Sequence, residues 1–188
     1  MFKKIIKGDF NYLNDKRKRV IILTVIYFAI ALSLFFAGYL TTHTKKNLLT
    51  IVAVLGLLPA SKSMVSAIMY IRAKGCSVKS RDIILPHADK LISMFDMYFT
   101  SYTKNYSLAH MIVKNKVIIG YSEDKDIDFK ACSEHITTML ANKGLKNLTV
   151  SLTDDIDKYI SMLDNLNKND ENSSLDDEIR ISLYEITL

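Results

Sequence analysis

The sequence predicts a membrane protein in which a two-helix transmembrane hairpin is followed by a small cytoplasmic α+β or α/β domain. Three observations support this expectation. Residues 20–40 and 47–71 are long apolar segments separated by six polar residues. Beyond residue 82 the hydrophobic period changes repeatedly between that of a helix and that of a strand. The charge also divides at this point, with a net +11 in residues 1–82 and −6 in residues 83–188.

The first apolar segment, residues 20–40, contains 21 residues without a charge. At about 1.5 Å per residue, a helix of this length crosses the roughly 30 Å hydrocarbon core of a bilayer. A secretory signal peptide is the alternative interpretation. It is disfavoured because the apolar run is longer than the usual hydrophobic region of a signal peptide and no A-x-A-like cleavage site follows it.

The second apolar segment, residues 47–71, is interrupted by Pro59 and by a polar triplet. It reaches spanning length only when the residues after the triplet are included. A six-residue connection is short, so the two helices are expected to be antiparallel neighbours. Gly38 and Gly56 fall inside the two segments, where small residues let transmembrane helices approach each other closely.

Basic residues flank the hairpin on both outer sides, whereas the connecting loop holds only Lys45 and Lys46. The positive-inside rule therefore predicts a cell-membrane protein with both termini in the cytoplasm. Residues 1–19 place apolar residues among lysines at roughly helical intervals, and one interpretation is an interfacial helix on the membrane surface. The side chains expected to contact anionic lipids of the inner leaflet are Lys16, Arg17, Lys18, Arg19, Arg72 and Lys74.

Ser61, Lys62 and Ser63 form the polar triplet in the second segment, where a charged side chain is costly. Lys62 lies about 21 Å along the helix from Leu48, so its stem can extend toward the cytoplasmic interface. Two alternatives remain open. Either the span ends near Pro59 and an interfacial helix follows, or several copies assemble so that the triplet faces a wet passage or binds an anionic head group.

The cytoplasmic domain, residues 83–188, is expected to follow the order α-β-β-α-β-α-β. The first helix is predicted over residues 86–103, because aromatic residues there recur at helical spacing. Two β-rich runs joined by residues 114–116 then predict a hairpin. The remaining helical and strand patterns are a helix over residues 127–144 that stops at Gly144, a strand over residues 145–152 and an amphipathic helix over residues 154–168.

The last part of the domain combines a polar segment with an alternating one. Residues 167–178 are acidic with a single leucine and are expected to form a mobile linker. Residues 179–188 alternate as in a strand with a bulge. This order predicts helices packed on a small sheet. The aromatic stripe of the first predicted helix suits its core, although it would also suit a protein-binding face; its members are Phe95, Tyr98, Phe99 and Tyr102.

Charge and cysteine content exclude several classes of function. An acidic domain is a poor electrostatic match for nucleic acid, so no nucleic-acid partner is expected. Cys76 and Cys132 lie in segments of different character, which leaves neither a disulfide framework nor a CxxC metal pair. A reducing compartment is therefore expected.

The most suggestive chemical pattern is Glu123-x-Lys125 after a predicted strand, the spacing used by metal-dependent nucleases of the PD-(D/E)xK type. That chemistry also needs a carboxylate on the preceding strand, and this strand offers only His110. A nuclease-like enzyme is therefore the lowest alternative. The simpler interpretation is a charged turn whose aspartates cap the next helix.

No other motif points to a catalytic residue, a metal site or a cofactor. The spacing of Asp124, Asp126 and Asp128 begins like a calcium-binding loop, but the sixth position is Phe129 and the twelfth is His135, where glycine and glutamate are required. The four histidines lie on separate predicted elements.

Two functional expectations follow from this layout. The first is a membrane-anchored interaction module, acting as a scaffold, adaptor or regulatory subunit that holds the acidic domain at the inner leaflet. Its partners are then membrane lipids and either another protein or a second copy of itself. The alternative is a homo-oligomeric pore or transport accessory in which Lys62 lines a passage.

Overall fold

The computed structural model describes residues 6–44, 46–88, 91–101, 104–167 and 174–188. The chain divides into two compact units. One is the helical pair of residues 13–72, and the other is a domain formed by residues up to 12 together with residues 73–188.

The helical pair consists of α1 (Tyr12–Thr42) and α2 (Leu48–Arg72). The most apolar 18-residue windows of these helices have mean hydropathies of 2.7 and 1.9, and each window is only 11% buried. Both helices are thus long and apolar enough to cross a membrane, as the sequence predicted.

A four-stranded mixed sheet forms the centre of the domain. Its strand order is β1-β2-β3-β4, with antiparallel pairing between the first three strands and parallel pairing between β3 and β4. A 3₁₀ turn, Leu85–His87, follows the first domain helix. The remaining elements, in chain order, are α3 (Val78–Ile84), β1 (Met94–Thr100), β2 (Asn105–Lys114), β3 (Val117–Tyr121), α4 (Phe129–Asn142), β4 (Thr149–Thr153), α5 (Ile156–Asn167) and α6 (Ser174–Ile186).

Helices cover both faces of the sheet, so the domain has two cores. One core packs α4 and α6 on the sheet through Ile136, Leu140, Ile179 and Leu183. The other packs α3 and α5 on the opposite face and includes Tyr159, Leu163 and Ile84 among its members. The domain is therefore a three-layer arrangement in which the middle layer is buried from both sides.

The β2–β3 hairpin, α4 and α5 agree with the sequence prediction. Asn115 and Lys116 have φ values of +51° and +62°, the left-handed pair that a two-residue type I′ turn requires. Gly144, with φ +89°, follows the end of α4 as expected for a helix stop. The strand predicted near residue 150 is β4.

The helix predicted over residues 86–103 is wrong. Residues 94–100 form β1, and the preceding helix, α3, begins earlier at a cap in which the Ser80 amide donates to Ser77 Oγ at 3.1 Å. Six consecutive residues of β1, 94–99, are buried because helices lie on both sheet faces. A strand buried on both faces has no alternation, and its aromatic residues therefore matched a helical stripe by chance.

The strand predicted over residues 179–188 is also wrong, because these residues continue α6 to Ile186. Ile179 and Leu183 are fully buried at a spacing of four, whereas Ile181 between them is 56% exposed, which is the pattern of a helix. Helix α6 begins at Ser174, inside the predicted linker of residues 167–178, and residues 168–173 lie outside the described part of the chain. The observed order is therefore α-β-β-β-α-β-α-α.

The segment before α1 belongs to the domain. The Phe95 amide donates to the Gly8 carbonyl at 2.8 Å, which pairs this segment with β1. Lys7 Nζ donates to the carbonyls of Tyr184 and Thr187, at 3.0 and 2.8 Å, and so caps the end of α6. Within residues 1–19, where the sequence suggested an interfacial helix, residues 12–19 are helical as the start of α1, residues 6–11 are not helical, and residues 1–5 lie outside the described part.

Replacing Gly8 by alanine is expected to destabilise the domain more than replacing Gly144. Both residues have φ near +90°, where alanine costs about 1–2 kcal/mol. A Cβ on Gly8 would also lie 2.7 Å from Cε1 of Tyr184, which adds an overpacking cost of about 1–3 kcal/mol, whereas a Cβ on Gly144 meets nothing within 4 Å. Thermal unfolding of the two variants in detergent measures the difference. Equal losses would contradict the packing of Gly8 on Tyr184.

Candidate functional site

The helical pair is held together along a seam of small residues. The residues of α2 that are buried include Ala53, Ala60 and Ala67. A Cβ on Gly56 would lie 3.7 Å from Cβ of Ala31, and a Cβ on Gly38 would lie 2.8 Å from Cβ of Leu49. Small side chains at these positions let the two helix backbones approach closely.

Two hydrogen bonds lie on the same seam. Thr24 and Ser63 share a hydroxyl–hydroxyl bond of 2.7 Å, and Arg17 Nε donates to the Tyr70 carbonyl at 2.8 Å. The Arg17 guanidinium thus binds a carbonyl in the last turn of α2, where a positive charge also complements the helix dipole.

The facing pairs define one antiparallel register, because the two residue numbers add to 87 in each pair. Successive pairs are seven residues apart on each helix, which is a heptad repeat. The four pairs are Arg17 with Tyr70, Thr24 with Ser63, Ala31 with Gly56, and Gly38 with Leu49.

The spacing of small residues in the sequence indicates this seam more fully than the prediction from Gly38 and Gly56 alone. The sequence predicts Gly38 and Gly56 as close-approach positions, but the complete pattern on α2 is longer. Small residues recur there at alternating spacings of three and four, at Ala53, Gly56, Ala60, Ser63 and Ala67. That spacing marks one helix face and would have given the register.

The structure does not bring the polar triplet together. Ser63 faces α1 through Thr24, while Ser61 Oγ donates to the Leu57 carbonyl of its own helix at 2.8 Å. Lys62 is exposed on the surface of the helical pair, away from the seam. The three residues thus have three separate environments.

The six basic residues predicted to contact lipid also differ in their surroundings. Lys18, Arg19 and Arg72 are exposed, and Lys16 is partly exposed. Arg17 is bonded within the helical pair. In the domain, Lys74 Nζ lies 2.9 Å from Asp124 Oδ1, and this carboxylate raises the pKa of Lys74. The role of all six in lipid binding stays a prediction.

Carboxylates of the domain bind the backbone of the segment before α3. Glu123 Oε1 accepts from the Ser77 amide at 2.8 Å, and Asp96 Oδ1 accepts from the Cys76 amide at 2.7 Å. Such charge-assisted bonds fix a loop in position. Glu123 therefore has a structural partner, and its pairing with Lys125 for catalysis stays an untested hypothesis. Among the residues that the structure describes, no group of three His, Cys, Asp or Glu side chains could hold a metal ion.

His110 and Tyr159 form a buried polar pair that the sequence did not reveal. His110 Nδ1 lies 2.7 Å from the Tyr159 hydroxyl, and both side chains are fully buried. The Phe95 ring packs on the imidazole at 4.5 Å between centroids. Burial lowers the pKa of His110 to about 3 and raises that of Tyr159, so both groups are neutral at pH 7.

The two cysteines are also buried and chemically quiet. Burial raises the pKa of both the Cys76 and the Cys132 thiols to about 12, which keeps them protonated at neutral pH. A protonated, buried thiol is a weak nucleophile and a weak metal ligand. Both are free cysteines.

Surface depressions of the domain are open and lined by few residues. One of about 240 Å³ lies between α4 and β4, lined by Ser133, Glu134, Thr137, Thr138 and Val150. A second, of about 360 Å³, lies beside Met139 and His135 at the end of β1. Neither encloses a small ligand as enzyme clefts do.

Comparisons with protein-family models, with curated proteins and with solved structures find no match to this chain.

The buried imidazole is expected to make the domain sensitive to acid. Because the pKa of His110 is about 3 when folded and about 6.5 when unfolded, stability is lost as the pH falls below 6.5. Between pH 7 and pH 5 the loss is about 2 kcal/mol from this residue. Chemical denaturation at the two pH values measures it.

The variant His110→Asn should remove this part of the pH dependence. Tyr159→Phe is the matched control, since it deletes the hydroxyl but leaves the imidazole buried, and it should keep the dependence. An unchanged pH slope in His110→Asn would show that other groups cause the acid sensitivity.

Proposed function

We propose that the chain is a membrane-anchored interaction module. The helical pair spans the cell membrane as a hairpin, and the domain is held at the cytoplasmic face to bind another protein as a scaffold, adaptor or regulatory subunit. Tethering raises the local concentration of the domain at the membrane and so strengthens binding to any partner located there.

The observation that carries this proposal is that the residues before α1 and the residues after α2 fold into the same domain. Gly8, before α1, pairs with Phe95, after α2. Residues on both sides of the helical pair are therefore in the same folded body, and a folded body lies on one side of a membrane. The two helices must then cross the bilayer an even number of times, which supports a two-span hairpin.

The surface of the helical pair supports insertion. Nearly nine-tenths of each apolar window is not buried. The exposed side chains include Val25, Leu40, Leu48 and Leu58, at 62–75% exposure. An apolar surface of this extent is far larger than soluble monomers expose, whereas lipid covers it without cost. The basic flanks at residues 16–19 and 72–74 favour the cytoplasmic side.

The hairpin register supports snorkelling for Lys62. In this register the numbers of facing residues add to 87, so Lys62 lies at the same level as Val25. Val25 is five residues inside the charge-free run that begins at Val20. Five residues correspond to about 7.5 Å along a helix, and a lysine stem covers most of that distance. The exposed position of Lys62 away from α1 leaves this path open.

The topology is tested by labelling single introduced cysteines with a membrane-impermeant maleimide. Thr44→Cys lies in the loop between the helices, and Asp9→Cys and Lys146→Cys lie at exposed positions of the domain. Thr44→Cys should react in intact cells, and the other two should react only after permeabilisation. The buried native cysteines give a low background. Labelling of all three from the same side would contradict the hairpin.

The interaction itself is tested by affinity purification of the full chain from native membranes in mild detergent. A stoichiometric second protein is expected. The control replaces residues 20–40 and 47–71 by an unrelated two-span hairpin, which should keep that protein if the hairpin only tethers. Loss of binding on replacement, or a pure homo-oligomer of fixed number that is lost when the hairpin is replaced, would instead favour a pore or transport accessory.

A further inference from the structure

Strand β4 forms an edge of the sheet whose outer side is unpaired in the described part of the chain. The Thr149 amide donates to the Lys116 carbonyl at 3.0 Å, and the Ser122 amide donates to the Thr153 carbonyl at 3.0 Å. The backbone groups of these odd-numbered residues therefore point toward β3. Because direction alternates along a strand, the amides and carbonyls of Val150 and Leu152 point outward.

The opposite edge of the sheet is closed by the chain itself. The Phe95 amide of β1 donates to the Gly8 carbonyl, and the Leu188 amide donates to the Tyr98 carbonyl at 3.0 Å. Proteins usually protect free edges in this way, or with lysines, prolines or bulges. Strand β4, with the sequence TVSLT, has no charge and no proline. Its edge is therefore suited to pairing.

The sequence of β4 is nearly palindromic about Ser151. If two copies pair antiparallel about a two-fold axis at this residue, threonine faces threonine, Val150 faces the second copy's Leu152, and serine faces serine. The outward groups of Val150 and Leu152 then form two hydrogen-bonded pairs, which give four backbone hydrogen bonds. No like charges meet across this pairing, and the facing threonines are a favourable cross-strand pair.

The neighbouring helix leaves room for a second strand. The depression between α4 and β4 is lined by Val150 and by side chains of α4 that are mostly small and uncharged, namely Ser133, Thr137 and Thr138, with Glu134 beside them. Thr137 and Thr138 are exposed. Helix α4 therefore does not cover the strand edge.

We propose that two copies of this chain pair through β4 and form one continuous eight-stranded sheet. The interface is isologous, since the same strand contributes from both copies. The inference relies on the proposed function in one respect: anchoring in a common membrane raises the effective concentration of the two domains, so an interface smaller than a standard one is sufficient.

The pairing is tested by disulfide formation in the full chain purified in detergent or reconstituted in vesicles. In the proposed dimer, Ser151 faces Ser151 of the second copy in a non-hydrogen-bonded pair. The two Cα atoms of such a pair are about 4.5 Å apart, a distance that a disulfide fits. Ser151→Cys should therefore give a covalent dimer on mild oxidation. Thr149→Cys is the matched control, since it lies on the same strand face but about 13 Å from its counterpart. It should stay monomeric.

Charged substitutions test, without an introduced thiol, whether Ser151 of one copy faces Ser151 of the second copy. Ser151→Lys and Ser151→Asp each place like charges opposite one another and should weaken the dimer about tenfold or more, as measured by analytical ultracentrifugation. An equimolar mixture of the two variants should restore a heterodimer. Circular dichroism melting checks that each variant folds.

Three results would overturn the proposal: equal cross-linking of Ser151→Cys and Thr149→Cys, a wild-type chain that is monomeric at every concentration, or a dimer that Ser151→Lys leaves intact. Any of them leaves the tethering proposal standing if the stoichiometric partner still copurifies. Loss of the partner with an intact Ser151→Cys dimer would contradict only the tethering proposal.

Discussion

The short β-bridge between Gly8 and Phe95 is the constraint on which the rest of the molecule depends. It places the residues before α1 in the domain that the rest of the chain forms after α2. The helical pair is thus an insertion in the domain, and both of its ends are fixed to one folded body. The Lys7 ammonium strengthens this closure, because it binds carbonyls at the end of α6, about 180 residues away along the chain.

In the membrane location proposed for it, the helical pair would pack by shape rather than by the hydrophobic effect. In lipid, apolar surface gains little by leaving its surroundings, so association depends on close van der Waals contact and on hydrogen bonds. The seam supplies both, through Gly56 against Ala31 and through the Thr24–Ser63 bond. The Pro59 side chain is exposed on α2 and is not buried in the seam.

The sequence allowed the helical pair, the β2–β3 hairpin, α4 and α5 to be predicted, because each has one clear period or one clear turn signal. It did not allow β1 or α6 to be predicted. The residues of β1 are buried on both faces and have no period, and the Ile179, Ile181 and Leu183 pattern fits a strand as well as a helix. Only tertiary contacts decide such cases. The Gly8–Phe95 bridge and the His110–Tyr159 pair connect residues 87 and 49 apart, which local pattern cannot detect.

The acidic residues of the domain are partly structural, which changes how its charge should be interpreted. Asp96, Glu123 and Asp176 accept hydrogen bonds from backbone amides, and the Asp176 carboxylate binds both residues of the β2–β3 turn at 3.0 and 3.2 Å. These carboxylates hold loops of the domain in place through charge-assisted hydrogen bonds. The domain, residues 1–12 and 73–188, contains 19 acidic and 17 basic residues, a net charge of −2. So small a net charge gives little long-range steering, and the proposed contacts with protein would therefore depend on local features such as the open edge of β4.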